Sequence, residues 1–295
     1  LSIQKNLWIE SHSGQEIRKI SILVQLRRVN RHMKSKTPSP FLNPKTGRIS
    51  ITDAFGLPLA ELLADKISEA YKEFPQYTAF PKKEFCKSIA KEVEGKSYTE
   101  RVGIIANNLN KYLPEKYGDA LDILMHILGP ENPEETGMFT NFYWLMPVGK
   151  FVELYGVQDS KDFTRSIKAI EELTKRNTGE YAIRPYARAY PEKTLAVCTK
   201  WAQSKNFHLR RLASEGLRPK LPWATKLDVW NTNPKPVFEI LEMLKEDEIK
   251  FVKKSVANHL RDWVKVNSKE AQKIIAHWSK SKNEHTRWIL KHAQR

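Results

Sequence analysis

The stretch that decides the fold is Leu209-Arg-Arg-Leu-Ala-Ser-Glu-Gly-Leu-Arg218, because it recurs without gaps 43 residues later as Val252-Lys-Lys-Ser-Val-Ala-Asn-His-Leu-Arg261. Each copy opens on an apolar residue, continues with two adjacent cations, carries a small residue and closes on Leu-Arg. A weaker third copy, Thr286-Arg-Trp-Ile-Leu-Lys-His292, follows 34 residues after Val252, and Ala182-Ile-Arg-Pro185 precedes Gly216-Leu-Arg-Pro219 by the same offset. Within the first copy Leu209, Leu212, Ala213 and Gly216 fall at i, i+3, i+4 and i+7, one face of a helix. Val252, Val256 and Leu260 form the corresponding stripe of the second.

Upstream the pattern stays helical. Leu59, Leu62, Leu63 and Ile67 share a face, as do Phe85, Ile89 and Val93, and then Val102, Ile105, Leu109 and Leu113. Leu121, Leu124, Met125 and Leu128 end before Gly129-Pro130, a helix stop. Prolines 75, 81, 114, 130, 147, 185 and 191 are read as lying between the periodic segments. The aromatic-rich block 139–155 reads mainly as helix-packing core. Repeats of roughly 35 to 45 residues are the spacing of HEAT and armadillo units, whose paired helices bury one face on their neighbours. The expected architecture is therefore all-α: a curved solenoid of HEAT/ARM-like helical repeats spanning residues 51–295. Residues 1–50, with Pro and Ser crowded between positions 37 and 44, read as a basic extension or linker, partly disordered.

Charge is unevenly placed along a chain of 295 residues with formal net charge +16. Residues 1–50 carry ten Lys/Arg and two acids (+8), residues 51–205 carry 21 and 22 (−1), and residues 206–295 carry 19 and ten (+9). A near-neutral middle flanked by basic ends favours a polyanionic partner, nucleic acid first and anionic membrane second. No apolar run is long enough to span a bilayer. Two cysteines, Cys86 and Cys198, make neither a disulfide framework nor a four-thiolate site, and a reducing, cytoplasmic location is expected. His-Glu-x-x-His, Cys-x-x-Cys, a phosphate loop and a Gly-x-Ser-x-Gly elbow do not occur. The eight histidines are scattered, so neither a metal nor a cofactor is expected. An enzyme built this way would work with carboxylates and an aromatic.

In the first repeat Arg211, Glu215 and Arg218 share the helix face away from the apolar stripe. In the second, Lys254, Asn258, Arg261 and Asp262 do the same. Stacking the two would align cations in rows and bring Glu215 near Asp262, which suits phosphate contact around a catalytic acid. On the pattern alone, exposed salt bridges one helical turn apart are the more economical reading. Trp223, in Leu221-Pro-Trp-Ala224, falls outside the stripe; such a residue serves either as a stacking platform or, more often, as packing over a helix pair.

A set of blocks then narrows the reading. Phe142-Tyr-Trp-Leu145, Phe151-Val-Glu-Leu-Tyr-Gly156, Glu180-Tyr-Ala-Ile-Arg-Pro185, Arg210-Arg-Leu-Ala-Ser-Glu-Gly-Leu-Arg-Pro219, Leu221-Pro-Trp-Ala224 and Lys254-Ser-Val-Ala-Asn-His-Leu260 together resemble the AlkC-type branch of the HEAT-like-repeat DNA alkylation-repair glycosylases. The likeness is clearest from Met138 to Asp262 and extends weakly back to about Thr52. It implies a monofunctional 3-methyladenine DNA glycosylase: a helical solenoid that cradles duplex DNA and hydrolyses the N-glycosidic bond of cationic alkylated bases without swinging them into a deep pocket. Position by position, it implies Glu180, Glu215 and Asp262 as the functional carboxylates and Trp223 as the aromatic beside the lesion. Arg184, Arg211, Arg218, Lys253, Lys254 and Asn258 become the expected DNA contacts, on a chain that works as a monomer. The alternative is a non-catalytic HEAT-repeat protein that binds branched or damaged DNA.

Overall fold

The computed structural model describes residues 51–137 and 142–294. The readings of residues 1–50 and of Phe139 lie outside them. Among the described residues the chain forms α-helices and short 3-10 turns and no strand. In chain order the helices are α1 (Ile51–Ala54), α2 (Leu57–Ala70), α3 (Lys82–Glu92), α4 (Tyr98–Tyr112), α5 (Tyr117–His126), α6 (Met146–Tyr155) and α7 (Phe163–Thr174). They continue as α8 (Ile183–Ala189), α9 (Pro191–Ala202), α10 (Phe207–Glu215), α11 (Lys235–Leu244), α12 (Lys250–Val266), α13 (Ser268–Trp278) and α14 (Glu284–Ala293). No helix is long and apolar enough to cross a membrane.

Local chemistry explains the helix ends. Ser97 and Glu100 form a reciprocal capping box at the start of α4, which satisfies two of the backbone N–H groups a helix leaves unpaired there. Past α5 the chain turns at Gly129, whose φ of 72° suits a residue without a Cβ. The prolines divide differently from the simple expectation. Pro147 and Pro191 sit in the first turns of α6 and α9, and Pro185 is the third residue of α8 rather than a separator. The first turn has no intrahelical acceptor for its N–H, so proline costs nothing there.

The three sequence copies become α10, α12 and α14, which pack side by side in succession, while α9, α11 and α13 form a second layer against them. The apolar stripes are the contact. Leu212, Val252, Val256 and Leu260 have no exposed surface, and each such side chain contributes about 1.5–3 kcal/mol by leaving water. The repeat extends to its caps and struts. Asn206 and Asn283 accept from the backbone N–H groups of His208 and His285 at the starts of α10 and α14. Trp201 and Trp278 each donate an indole N–H to a glutamate one repeat earlier, Glu171 and Glu242, at 2.5 Å. An all-α stack of HEAT-like helix pairs is thus the fold the sequence periodicity specifies.

One glycine positions the site. A Cβ on Gly216, at the end of α10, would lie 2.6 Å from Ile183 Cγ2 and 3.1 Å from the Leu212 carbonyl oxygen. Its absence lets α8 approach the end of α10, which brings Arg184 beneath the carbonyl of Arg218.

Candidate active site

Three carboxylates and two guanidinium groups meet where α8, α10 and α12 converge. Glu215, in the last turn of α10, accepts from Arg218 Nη1 on Oε1 at 2.7 Å, with Arg211 Nη2 at 3.5 Å from the same oxygen. Its other oxygen accepts from Ser255 Oγ of α12 at 2.6 Å. Arg218 turns its Nε to Asp262 Oδ2 of α12 at 2.8 Å, so one guanidinium joins the acids of two successive repeats. Arg211 Nη1 pairs with Glu180 Oε2, which also accepts from Thr178 Oγ1 at 2.6 Å. Glu180 Oε1 and Asp262 Oδ1 accept no hydrogen bond from the described residues. Glu180, Glu215 and Asp262 are 3%, 5% and 8% exposed.

The juxtaposition of Glu215 and Asp262 follows the repeat register, but exposed surface salt bridges do not describe it. The pairs are buried, so their charges act at far lower effective dielectric than on a surface. The titration directions follow. Burial pushes the Glu215 carboxyl up, yet Arg211 and Arg218 outweigh it and hold the group below the ordinary carboxylate range. Asp262 moves the other way: burial raises it, the Glu215 charge adds to the rise, and Arg218 only partly offsets them. Arg211 and Arg218 lose charge preference through burial and regain more from their acid partners, so both are raised. Two neighbouring carboxylates with opposite shifts are suited to different tasks.

The cations expected on phosphates separate into two groups. Arg184 is 1% exposed and donates to the carbonyls of Arg218 at 2.7 Å and Thr225 at 2.6 Å. Burial and the neighbouring Arg188 and Arg218 lower its pKa to about 10. Committed to backbone carbonyls, it supports the site from beneath, and Arg211 and Arg218 are likewise committed to carboxylates. Lys254 is exposed; Lys253 and Asn258 are half-buried. The Lys253 ammonium lies 5.5 Å from the Trp288 ring centre and 3.2 Å from His285 Nδ1. Arg261, expected to share a face with Asp262, instead donates to the His292 carbonyl on α14 at 2.6 Å. Helix α12 is flanked on both sides, and these two side chains serve opposite neighbours.

Trp223 stands out of the protein, 65% exposed, with φ of 61°, a region that bulky side chains rarely enter. Packing over a helix pair is therefore not its role. Its loop is held from three sides: Tyr181 donates its hydroxyl to the Pro222 carbonyl at 3.2 Å, Arg184 reaches the Thr225 carbonyl, and Arg188 reaches Thr225 Oγ1 at 2.6 Å and the Lys226 carbonyl at 2.8 Å. The Trp223 ring meets that of Tyr98 edge-on, 6.3 Å between centres.

Beside the cluster opens a cleft of about 220 Å³, lined by Trp223, Tyr98, Tyr181, Thr178, Glu153 and Lys150 among others. Thr178 belongs to both cleft and cluster. Glu153, Lys150, Tyr98, Tyr181 and Ser255 are absent from the set read from the sequence. Ser255 had a signal, since it puts a polar residue where the first repeat has Leu212. Glu153 lies inside the Phe151–Gly156 block but carries no helical pattern of its own. Among the described residues no group of three His, Cys, Asp or Glu is arranged to hold a metal ion.

A two-layer helical-repeat protein that keeps a buried charged cluster beside a cleft bordered by an exposed tryptophan is the class that fold and site define. Residues 159–295 match the DNA alkylation repair enzyme family, in agreement with the resemblance read from the residue blocks. Over 196 residues the chain is 39% identical to the uncharacterized protein YhaZ of Bacillus subtilis, covering 66% of this chain and 51% of that one; it spans about half the length of that relative. The fold matches that of the Pseudomonas fluorescens alkylpurine DNA glycosylase AlkC, solved bound to DNA containing an abasic site analog. The TM-score is 0.71 and the identity 30%, over 84% of this chain and 64% of that one.

Proposed function

We propose that this protein is a DNA glycosylase that hydrolyses the N-glycosidic bond of cationic alkylated bases, chiefly 3-methyladenine, in duplex DNA. The observation that carries the reading is the convergence of Glu180, Glu215 and Asp262 on two shared arginines, beside the cleft that an exposed Trp223 borders, on a fold shared with an alkylpurine glycosylase.

A cationic base is already a good leaving group, so the protein's task is to stabilise the oxocarbenium-like sugar and place a water. Glu215, with both oxygens held and its pKa lowered, stays anionic and supplies fixed negative charge. Asp262, raised and with Oδ1 open, is the group fitted to orient the water and accept its proton. Glu180 holds Arg211 in place and adds to the negative field. Trp223 stacks against the sugar or base, where cation–π attraction contributes about 0.5–2 kcal/mol. No lysine is assigned as a Schiff-base nucleophile, so strand cleavage is not expected. The action is assigned to the cytoplasm, by a monomer.

The complete pairing of all three acids with arginine also suits a non-catalytic DNA-binding repeat protein, and one experiment separates the two. Duplexes carrying single lesions are scored for abasic sites under single-turnover conditions, with the wild type and with Glu215→Gln. The glycosylase reading expects release of 3-methyladenine, little action on uracil or hypoxanthine, and loss of excision in Glu215→Gln at a temperature where the variant, with a lowered melting temperature, is still folded and binds DNA. Tight binding of the damaged duplex by the wild type with no base release would establish the non-catalytic reading. Uracil released as fast as 3-methyladenine would overturn the charge-based mechanism.

A further inference from the structure

We infer that Ser255 is a positioning residue for Glu215, the last donor of a buried hydrogen-bond chain through Ser214 that fixes the plane of the Glu215 carboxylate. Its seam is polar where the first repeat is apolar. In the second copy Ser255 and His259 occupy the positions that Leu212 and Gly216 hold in the first, so the stripe by which α12 packs on α10 carries two polar residues one turn apart. Ser214 meets both of them from α10. His259 and Ser214 have no exposed surface and Ser255 has 2%. A polar group in such a seam costs stability unless it is hydrogen-bonded, and alanine at either serine would fill the space without that cost.

The donor count fixes the direction of the chain. Ser255 Oγ lies 2.6 Å from Glu215 Oε2 and 3.0 Å from Ser214 Oγ, and it has a single proton. The carboxylate is the stronger acceptor, so that proton points to Glu215, and the contact with Ser214 is made by the Ser214 proton. Ser214 Oγ is then left as an acceptor, 3.4 Å from His259 Nδ1. Burial and the charges of Arg218 and Arg184 keep the His259 ring neutral, with one N–H. Its Nε2 has no hydrogen-bond partner among the described residues, so the N–H belongs on Nδ1, towards Ser214. Each donor therefore points towards Glu215, and each bond polarises the next.

The chain matters because of the oxygen it reaches. Arg211 and Arg218 both approach Oε1, and two partners on one oxygen leave the group free to turn about its Cγ–Cδ bond. Ser255, on the other oxygen and from another helix, stops that rotation. The remaining acids of the cluster, Asp262 and Glu180, are joined to Glu215 only through the arginines, and the Tyr181 hydroxyl senses its charge without bonding to it. The use of this placement rests on the glycosylase reading; the placement itself is measurable without catalysis.

The full chain, labelled with carbon-13 at the glutamate carboxyls, is titrated with pH, the Glu215 signal being the one absent in Glu215→Gln. Ser255→Ala should raise the Glu215 midpoint by about one to two pH units, the worth of one hydrogen bond to a charged group, because the charged form loses a donor. Ser214→Ala should raise it by less. Ser255→Thr, which keeps the hydroxyl, should restore it. Single-turnover excision at pH 8 should fall about fivefold or more in Ser255→Ala through lost orientation, with DNA affinity changed less than about twofold, and should recover in Ser255→Thr. If Ser255→Ala does not fold, Ser214→Ala carries the same test. An unchanged midpoint in Ser255→Ala, a rise that Ser255→Thr does not reverse, or wild-type excision by Ser255→Ala would overturn the inference and leave the glycosylase reading untouched. A reversible shift of the midpoint in a protein that releases no base would leave the chain standing and remove the glycosylase reading alone.

Discussion

Removing Arg218 tests whether the cluster is built as described. Its side chain is 10% exposed and its partners Glu215 and Asp262 are 7% and 11% exposed, so Arg218→Gln deletes two charge-assisted hydrogen bonds in a place water barely reaches. Glu215 keeps Ser255 at 2.6 Å and Arg211 at 3.5 Å; Asp262 keeps no hydrogen-bonding partner. Treating Asp262 as the stranded charge, the loss at pH 8 should be about 3–5 kcal/mol. For a domain of this size each kcal/mol moves the melting temperature by about 2–4 °C, giving a fall of about 6–20 °C. The pH dependence has a definite sign. Burial already raises Asp262 in the wild type, and without Arg218 its folded pKa rises further above the unfolded value. A carboxylate raised on folding is penalised only where the unfolded chain is ionised, so the penalty grows as pH rises from the unfolded value through the folded one. Glu215 is lowered in the wild type, and the stability it contributes is present above its unfolded pKa and lost as pH falls. Both terms make the deficit of the variant smaller in acid. Urea unfolding at pH 8 and pH 5 measures this, and adding Asp262→Asn, which removes the stranded charge, should recover more than half of the loss at pH 8. A deficit under about 1 kcal/mol, equal deficits at the two pH values, or no recovery in the double variant would refute the buried-cluster account.

Trp223→Gly should lower excision at least tenfold while changing the melting temperature by no more than a few degrees, because glycine accepts φ of 61° without strain, which offsets the loss of the edge-on contact with Tyr98; a larger fall would mean the ring supports the fold. Lys254→Ala should weaken binding to all duplex sequences alike and flatten the log–log salt dependence by about one, as expected for one exposed phosphate contact; an unchanged slope in a fluorescence-anisotropy titration would remove Lys254 from the DNA path.

The parts of the molecule legible in the sequence are those fixed by periodicity. The stripe Leu209, Leu212, Ala213 and its partner Val252, Val256, Leu260 specify both the helices and their stacking, since each stripe is the surface the other needs. The nearness of Glu215 and Asp262 follows from the same register. Burial of the cluster was not legible, because a helical wheel cannot tell a solvent face from one covered by a third element. Here Gly216 lets α8 in, and α8 with the 222–226 loop does the covering. Trp223 shows the converse: an aromatic after proline reads as packing until the backbone places it at positive φ, held outward by Arg184 and Arg188. The cleft depends on Glu153 and Tyr98, from helices far from the repeat, and no local pattern links them.

On the glycosylase reading the charge arrangement has two jobs, to attract a polyanion and to stabilise a developing cation. Over the whole chain the excess is +16, and that field attracts a polyanion until salt screens it beyond about 8–10 Å. Within the hydrogen-bonded cluster three carboxylates share two guanidiniums, and the buried Arg184 beneath them, bonded only to carbonyls, balances the remaining negative charge. On the glycosylase reading the outer field would act on phosphates and orient the duplex, while the open oxygens of Glu180 and Asp262 would act at short range on positive charge developing at the sugar. Exchanging the cluster for apolar side chains of similar volume would cost little stability, because paired buried charges roughly offset their own desolvation. The cluster is therefore better explained by what its carboxylates do than by what it holds together.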